Sequence, residues 1–209
     1  MAGASPSTAF AGLACSAAFG AAACEPVSCP VGGAPALWIA DVARAAPPSA
    51  VSVWRIATDT PDYTADDTTG KGAELTGGRW NARGTPLLYA SGSRALACLE
   101  TVVHLTSGLA LPLNRYLVRL DIPAELWAAR TVFDAAQHVG WDALPAGRTS
   151  ITWGTAWARD GASCVAEVPS VIVPEEPNLL VNPRHADAAR ITVTKLRRWL
   201  YDPRAARLH

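Results

Sequence analysis

Leu87-Leu88-Tyr89-Ala90-Ser91-Gly92-Ser93-Arg94-Ala95-Leu96-Ala97-Cys98-Leu99-Glu100-Thr101-Val102-Val103-His104-Leu105-Thr106 holds the change of period on which the fold rests. Leu87 to Ala90 is a short apolar run of the kind that forms a strand, and Ser91-Gly92-Ser93 is a turn whose last serine can cap a helix. Arg94 to Thr106 then reads as the best helix in the chain, closed by Gly108, with Leu96, Leu99 and Val103 as its buried stripe and Glu100 at the edge of that stripe.

Working outward, Val51-Ser52-Val53-Trp54-Arg55-Ile56 alternates as a first strand and places Trp54 and Arg55 on opposite faces. Between the two lies a loop from Thr58 to about Thr76 with five acidic residues, too polar for core, followed by the tight Gly77-Gly78-Arg79-Trp80-Asn81. Downstream, Tyr116, Val118, Leu120 and Ile122 mark a half-buried strand, and Ser150 is placed to cap a second helix from Ile151 to about Arg159, stopped by Gly161. Ser163 to Val173 is β-rich and split by Pro169, Asn178 to His185 reads as a loop, and Arg190 to Leu196 as a closing strand. Strands, then a helix, then more strands indicate an α+β domain. It spans 51–209, after an Ala/Gly/Pro-rich, poorly structured N-terminal extension at 1–50 that holds a short helical candidate at Ala36 to Ala46.

Eighteen Lys plus Arg balance eighteen Asp plus Glu over 209 residues, so no general electrostatic grip on nucleic acid or an anionic membrane is expected. The balance is uneven. Residues 1–43 carry only Glu25 and Asp41, whereas 184–209 carry seven basic residues against two acidic ones. Cys15, Cys24 and Cys29 fall in the head without metal-site spacing, and five thiols form no even disulfide framework, which points to a reduced cytoplasmic protein. Phe10 to Ala23 is apolar but lacks the basic start of a secretory signal, and no run is apolar enough for a membrane helix.

Arg55, Arg79, Asn81, Tyr89 and Glu100 form the most informative set of polar residues. An arginine behind a tryptophan in a strand, and another inside a Gly-Gly turn, suit the bidentate grip of a diphosphate, each charge-assisted bond contributing on the order of 1.5–3 kcal/mol. Pairing of each arginine with a carboxylate of the acidic loop explains them equally well on spacing alone. Glu100 has no second carboxylate nearby in sequence, so a two-carboxylate glycosidase arrangement is not evident; a lone carboxylate can hold a ribose hydroxyl and stabilise an oxocarbenium-like charge, or simply pair with His104. Ser170 lacks nucleophile-elbow surroundings, and the four histidines, His104, His138, His185 and His209, show no metal spacing, so no metal site is expected. No GxGxxG or P-loop pattern occurs.

Taken together, Trp54-Arg55, Gly77-Gly78-Arg79-Trp80-Asn81, Leu88-Tyr89-Ala90-Ser91, Cys98 to Leu105, Pro169-Ser170 and Asn178 to His185 resemble the RES domain family, named for its Arg, Glu and Ser residues, over roughly Val51 to Tyr201. The resemblance implies a single RES domain similar in fold to ADP-ribosyltransferase toxins, acting as the toxin of a bacterial toxin–antitoxin pair with an Xre-type helix-turn-helix antitoxin, with DNA contacted only through that antitoxin. It implies NAD+ as substrate, cleaved at the nicotinamide–ribose bond by water or phosphate, with transfer of ADP-ribose to a protein as the alternative. It further implies Arg55 and Arg79 as NAD-anchoring arginines, Tyr89 as the aromatic near the nicotinamide, Glu100 as the catalytic carboxylate, and Ser170, Asn81 and His185 as further binding positions. Ile56 stands where some relatives carry an aromatic, which alters one wall of the pocket. The rival from another class is a non-catalytic binding module, for which a carboxylate beside an anion site brings little.

Overall fold

A computed structural model describes residues 50–105 and 111–204. The expected extension at 1–50 and its helical candidate at Ala36 to Ala46 therefore lie, but for Ala50, outside the described residues, as does Gly108. The chain runs β1 (Ala50–Thr58), α1 (Lys71–Thr76), β2 (Leu88–Ser91), α2 (Arg94–Val102), β3 (Arg115–Pro123), α3 (Ala124–Ala128), β4 (Thr131–Val132), α4 (Arg148–Asp160), β5 (Val165–Pro169), β6 (Pro177–Val181) and β7 (Thr192–Arg198). Seven strands form one sheet in the order β4-β5-β6-β2-β1-β3-β7, antiparallel except for the β4–β5 pair. The α+β expectation stands.

The join between β1 and β2 positions the site. β1 pairs with β3 along its whole length, from Ala50↔Pro123 to Thr58↔Arg115, but with β2 at the single position Trp54↔Ser91. Past that pair both strands continue, β1 to Thr58 and β2 back to Leu88, without bonding to each other, so the sheet forks into a β4-β5-β6-β2 half and a β1-β3-β7 half. Directly opposed residues of antiparallel strands project from one face, so Trp54, Ser91 and, through β2–β6 pairing, Asn178 share a face, and Arg55 leaves from the other.

Val53, Val118, Leu120, Leu179 and Val181 pack with Leu126 and Ile191 in one core cluster. A second cluster joins Trp80, Leu87, Phe133, Trp157 and Leu180, and a third joins Ile56, Ala97, Val102, Leu117 and Tyr201. β3 is thus buried through Leu117 and Val118 alike, and its alternation is weaker than that of a half-buried strand because both faces are covered.

Four expectations need correction. Asn178 to His185 is not all loop: Pro177–Val181 is an interior strand, because Leu179, Leu180 and Val181 are sealed between β5 and β2. The acidic loop ends in a helix, α1, over its last six residues. In α2 the phase differs: Leu96, Ala97 and Val102 are buried, while Leu99 and Val103 are 37% and 40% exposed. The small Ala97 lets the helix approach the sheet, and this rotation turns Glu100 from the stripe's edge towards the strands. Ser93 does cap α2, its hydroxyl accepting from Leu96 N at 3.1 Å. Ser150, by contrast, lies inside the first turn of α4, whose N-cap is Gly147, and its buried hydroxyl donates to the Gly147 carbonyl at 3.3 Å.

Candidate active site

α2 carries Glu100 over the fork. Its Oε1 accepts from Ser170 Oγ at 2.8 Å and from Asn178 Nδ2, and Asn178 Oδ1 in turn accepts from Ser91 Oγ at 2.7 Å. Ser170 is fully buried at the end of β5, and its Oγ also accepts from Ile172 N and Val173 N, both at 3.1 Å, so the turn after the strand fixes the hydroxyl that fixes the carboxylate. Glu100 Oε2 has no hydrogen-bond partner among the described residues and is not sealed in protein. The arrangement is a carboxylate with one oxygen clamped by neutral donors and the other presented outward.

The fork opens into a cavity of about 160 Å³. Arg55 enters it from one face of the sheet and Tyr89 from the other; Thr58, Tyr63, Asp67 and Arg115 complete its polar lining. Arg55 makes no ion pair among the described residues, which answers the alternative of a partner in the acidic loop: Asp59 of that loop is taken by Lys195 at 2.6 Å. Burial pushes the Arg55 guanidinium below its ordinary value, and the charge of Asp67, followed by Tyr63, pushes it back up. A desolvated cation without a contact partner is a receptive place for an anion.

The glycine turn holds the cavity's far wall. A Cβ on Gly78 would stand 2.7 Å from the Tyr89 hydroxyl and 2.9 Å from Asn81 Oδ1, so only glycine lets the turn close on that tyrosine. Tyr89 donates to Asn81 Oδ1 at 2.6 Å and accepts from Trp80 N at 3.0 Å, and burial drives its phenol far above the ordinary range. Buried Asn81 donates to the carbonyls of Ala73 and Thr85, each at 2.8 Å, which makes it the brace of this wall. Arg79 does not line the cavity. Its Nη1 donates to the carbonyls of Trp141 at 3.1 Å and Ala143 at 3.0 Å, tying the loop before α4 to the turn, while Trp80 packs among Phe133, Trp141 and Trp153.

The structure thus brings Arg55 and Tyr89 to one cavity and Glu100 and Ser170 to one cluster, and the Trp54↔Ser91 pair joins the two, since Arg55 follows Trp54 and Ser91 leads through Asn178 to Glu100. His185 stands apart, in the turn after β6, its Nδ1 accepting from Asp187 N at 3.1 Å. Ser91 and Asn178 are functional candidates that residue-type reasoning passed over; both lie inside quoted motif stretches, yet an amide 78 residues from its carboxylate leaves no spacing signal. Among the described residues no three His, Cys, Asp or Glu side chains gather as a metal site, and no helix is long and apolar enough to cross a membrane.

The family model described as RES domain matches residues 52–203. The chain belongs to the RES family. A protein named "Prs ADP-ribosylating toxin" from Sphingobium sp. (strain YBL2) is 58% identical over 157 residues, covering 75% of this chain and 97% of that protein. Two proteins named "Toxin Res" are more distant: one from Yersinia enterocolitica is 38% identical over 59% of this chain and 79% of its own length, and one from Pseudomonas putida 35% identical over 61% and 86%. Relatives of this RES domain are toxins by name, and the family match, which begins inside β1 and runs past the end of β7, holds the fork.

Proposed function

We propose that this RES protein is a toxin enzyme that takes NAD+ as substrate, breaks the nicotinamide–ribose bond and passes ADP-ribose to a protein acceptor. The observation that carries the reading is the half-clamped Glu100: Oε1 is held by Ser170 and Asn178, and Oε2 is directed outward. Arg55 holds the diphosphate in the fork, with Tyr89 packing the nicotinamide and Arg79 bracing the wall through the Trp141 and Ala143 carbonyls. Oε2 accepts from a ribose hydroxyl, and the carboxylate charge stabilises the positive charge that develops at the anomeric carbon. Nicotinamide leaves with the electron pair of the broken C–N bond and becomes neutral; the acceptor's nucleophilic atom bonds to that carbon and loses its proton. The name of the Sphingobium relative supports a protein acceptor, and supports Prs in particular. An Xre-type helix-turn-helix antitoxin is the proposed partner, and cytoplasm the proposed compartment.

A second reading, hydrolysis or phosphorolysis, rests on the neutrality of Glu100's contacts: one is a hydroxyl and the other an amide, and among the described residues no second carboxylate joins this cluster to activate a sluggish acceptor. Purified protein incubated with NAD+ carrying a label on the adenylate, with and without Prs and with and without phosphate, separates the cases. Label on Prs supports transfer, and free labelled product whose identity follows phosphate supports the second reading. Glu100→Gln is expected to lower nicotinamide release by about 10²–10³-fold, the scale of one lost charge stabiliser; an unchanged rate removes Glu100 from the chemistry.

A further inference from the structure

We infer that Asn178, set by Ser91, is a positioning residue that orients the Glu100 carboxylate, holding one of its oxygens so that the other is left to meet the substrate; the inference rests on the reading of Glu100 as the catalytic carboxylate. A glutamate on a helix has free rotation about three side-chain bonds, and the entropy of fixing it works against any single aim. Here two constraints converge on one oxygen. Ser170 and Asn178 arrive from the ends of two neighbouring strands, β5 and β6, and both donate to the same oxygen, so rotation that would exchange Oε1 and Oε2 breaks two bonds at once.

The amide of Asn178 is itself directional. Its Oδ1 accepts the Ser91 hydroxyl proton at 2.7 Å, so Nδ2 is the end left to face Glu100. An amide flipped by 180° would put its carbonyl against the carboxylate and strand the Ser91 donor. Ser91, only 4% exposed, therefore sets the amide, the amide sets Oε1, and Oε2 is the oxygen that remains for the ribose. Ser91 is also the residue at which β1 and β2 meet, so the same position that closes the fork orients the carboxylate above it. Two donors on one oxygen fix the plane of the carboxylate and so aim its free oxygen at the carbon where an oxocarbenium-like charge develops.

The test uses the full chain, with nicotinamide release from NAD+ followed as a function of pH and NAD+ concentration, and far-UV circular dichroism and thermal melting as folding readouts. Asn178→Asp keeps size and the acceptor for Ser91 but sets a second carboxylate against Oε1. The pair then shares a proton, and the acidic limb of the kcat profile is expected to move to higher pH by one unit or more. Asn178→Ala is expected to lower kcat by about 10- to 100-fold, the range for loss of a hydrogen bond to a charged group, with KM for NAD+ changed less than threefold. Ser91→Ala, which leaves Asn178 in place but free to flip, is expected to fall between wild type and Asn178→Ala. A wild-type chain that releases no nicotinamide overturns the functional reading itself. A wild-type chain that does, beside an Asn178→Asp variant with an unshifted profile or an Asn178→Ala variant altered only in KM or melting temperature, overturns the positioning role and leaves the functional reading intact.

Discussion

Replacing Ser170 by alanine separates what that serine does for the fold from what it does for Glu100. The hydroxyl is wholly buried and makes three bonds: one donated to Glu100 at 2.8 Å, and two accepted, from Ile172 N and Val173 N at 3.1 Å. The donated bond goes to a charged group, worth about 1.5–3 kcal/mol, and the two backbone donors lie in a partly buried turn where water can replace a share of the roughly 1 kcal/mol each contributes. Ser170→Ala therefore destabilises the domain by about 2–4 kcal/mol, which for a domain of this size is a fall in melting temperature of about 4–16 °C. Because the single hydroxyl proton is already committed to Glu100, the substitution acts on catalysis through the carboxylate: kcat for nicotinamide release falls about 10- to 100-fold while KM for NAD+ stays near wild type. Thermal unfolding monitored by circular dichroism gives the first quantity and steady-state kinetics the second. A variant with wild-type melting and wild-type kcat would refute both halves; one with normal kcat and a raised KM would show that Ser170 serves the ligand directly and not through Glu100.

Arg55→Met removes the desolvated cation of the fork and is expected to raise KM for NAD+ by about 10- to 100-fold without lowering the melting temperature, since an apolar side chain relieves a burial that no ion pair offsets; a lowered melting temperature with unchanged KM would count against a ligand role. Gly154 in α4 faces the Trp80 carbonyl, and a Cβ there would stand 2.0 Å from that oxygen. Gly154→Ala therefore destabilises by about 1–3 kcal/mol from overpacking, reduced by the roughly 1 kcal/mol gain in helix propensity, and a melt at or above wild type would show that α4 can shift freely. The Asp59–Lys195 contact holds Asp59 below and Lys195 above their ordinary values of 3.8 and 10.5, in each case chiefly through their mutual hydrogen bond. Its stabilisation is thus fully present between those values, lost as pH falls below the lower and lost as pH rises above the upper. The difference in urea midpoint between wild type and Asp59→Asn should be flat across neutral pH and shrink at both extremes, and a difference independent of pH would dismiss the ion pair.

Legibility of the fold in the sequence followed how local the deciding interactions are. β1 was readable because Val53 and Ile56 seal opposite faces within one short alternating run, and Arg55 could be placed opposite Trp54 from the period alone. The Ser93 cap was readable because its acceptor and donor are three residues apart. β6 was not, since Pro177, Asn178 and the Asn182-Pro183 that follows carry loop chemistry, and only the neighbours β5 and β2 make a strand of the apolar Leu179-Leu180-Val181 between them. The phase of α2 departs from its most hydrophobic stripe for a related reason: Leu99 and Val103 outrank Ala97 in hydrophobicity, but the sheet selects the small residue that allows close approach. Glu100, at the edge of that hydrophobic stripe, consequently faces the strands. The list of site residues came from the family resemblance more than from patterning, and the geometry redistributes it: Arg55 and Tyr89 face the cavity, Asn81 braces Tyr89, Arg79 ties a loop, and Ser170 acts on Glu100.

On the proposed reading, the forked sheet also accounts for the binding of a doubly charged ligand by a chain with no net charge. Affinity for a polyanion such as nucleic acid depends on many exposed cations releasing counterions, and it weakens steeply with salt. A desolvated guanidinium such as that of Arg55, in a cleft it shares with Arg115, works differently. Its field is poorly screened, its desolvation has already been met by the fold, and an incoming diphosphate gains the interaction without stripping water from it. Asp67 moderates this by keeping a compensating charge in the same cavity, close enough to support the Arg55 cation and outside ion-pair distance, so the guanidinium is stabilised while its hydrogen-bonding edge stays open. Placing the carboxylate of Glu100 on α2, with one oxygen held by neutral partners, keeps the negative charge proposed for bond breaking away from the cation proposed for binding. Were the two to meet as an ion pair, each would neutralise the other's function; the single Trp54↔Ser91 bond of the fork, with Arg55 leaving one face and Ser91 and Asn178 the other, is what holds them near and unpaired.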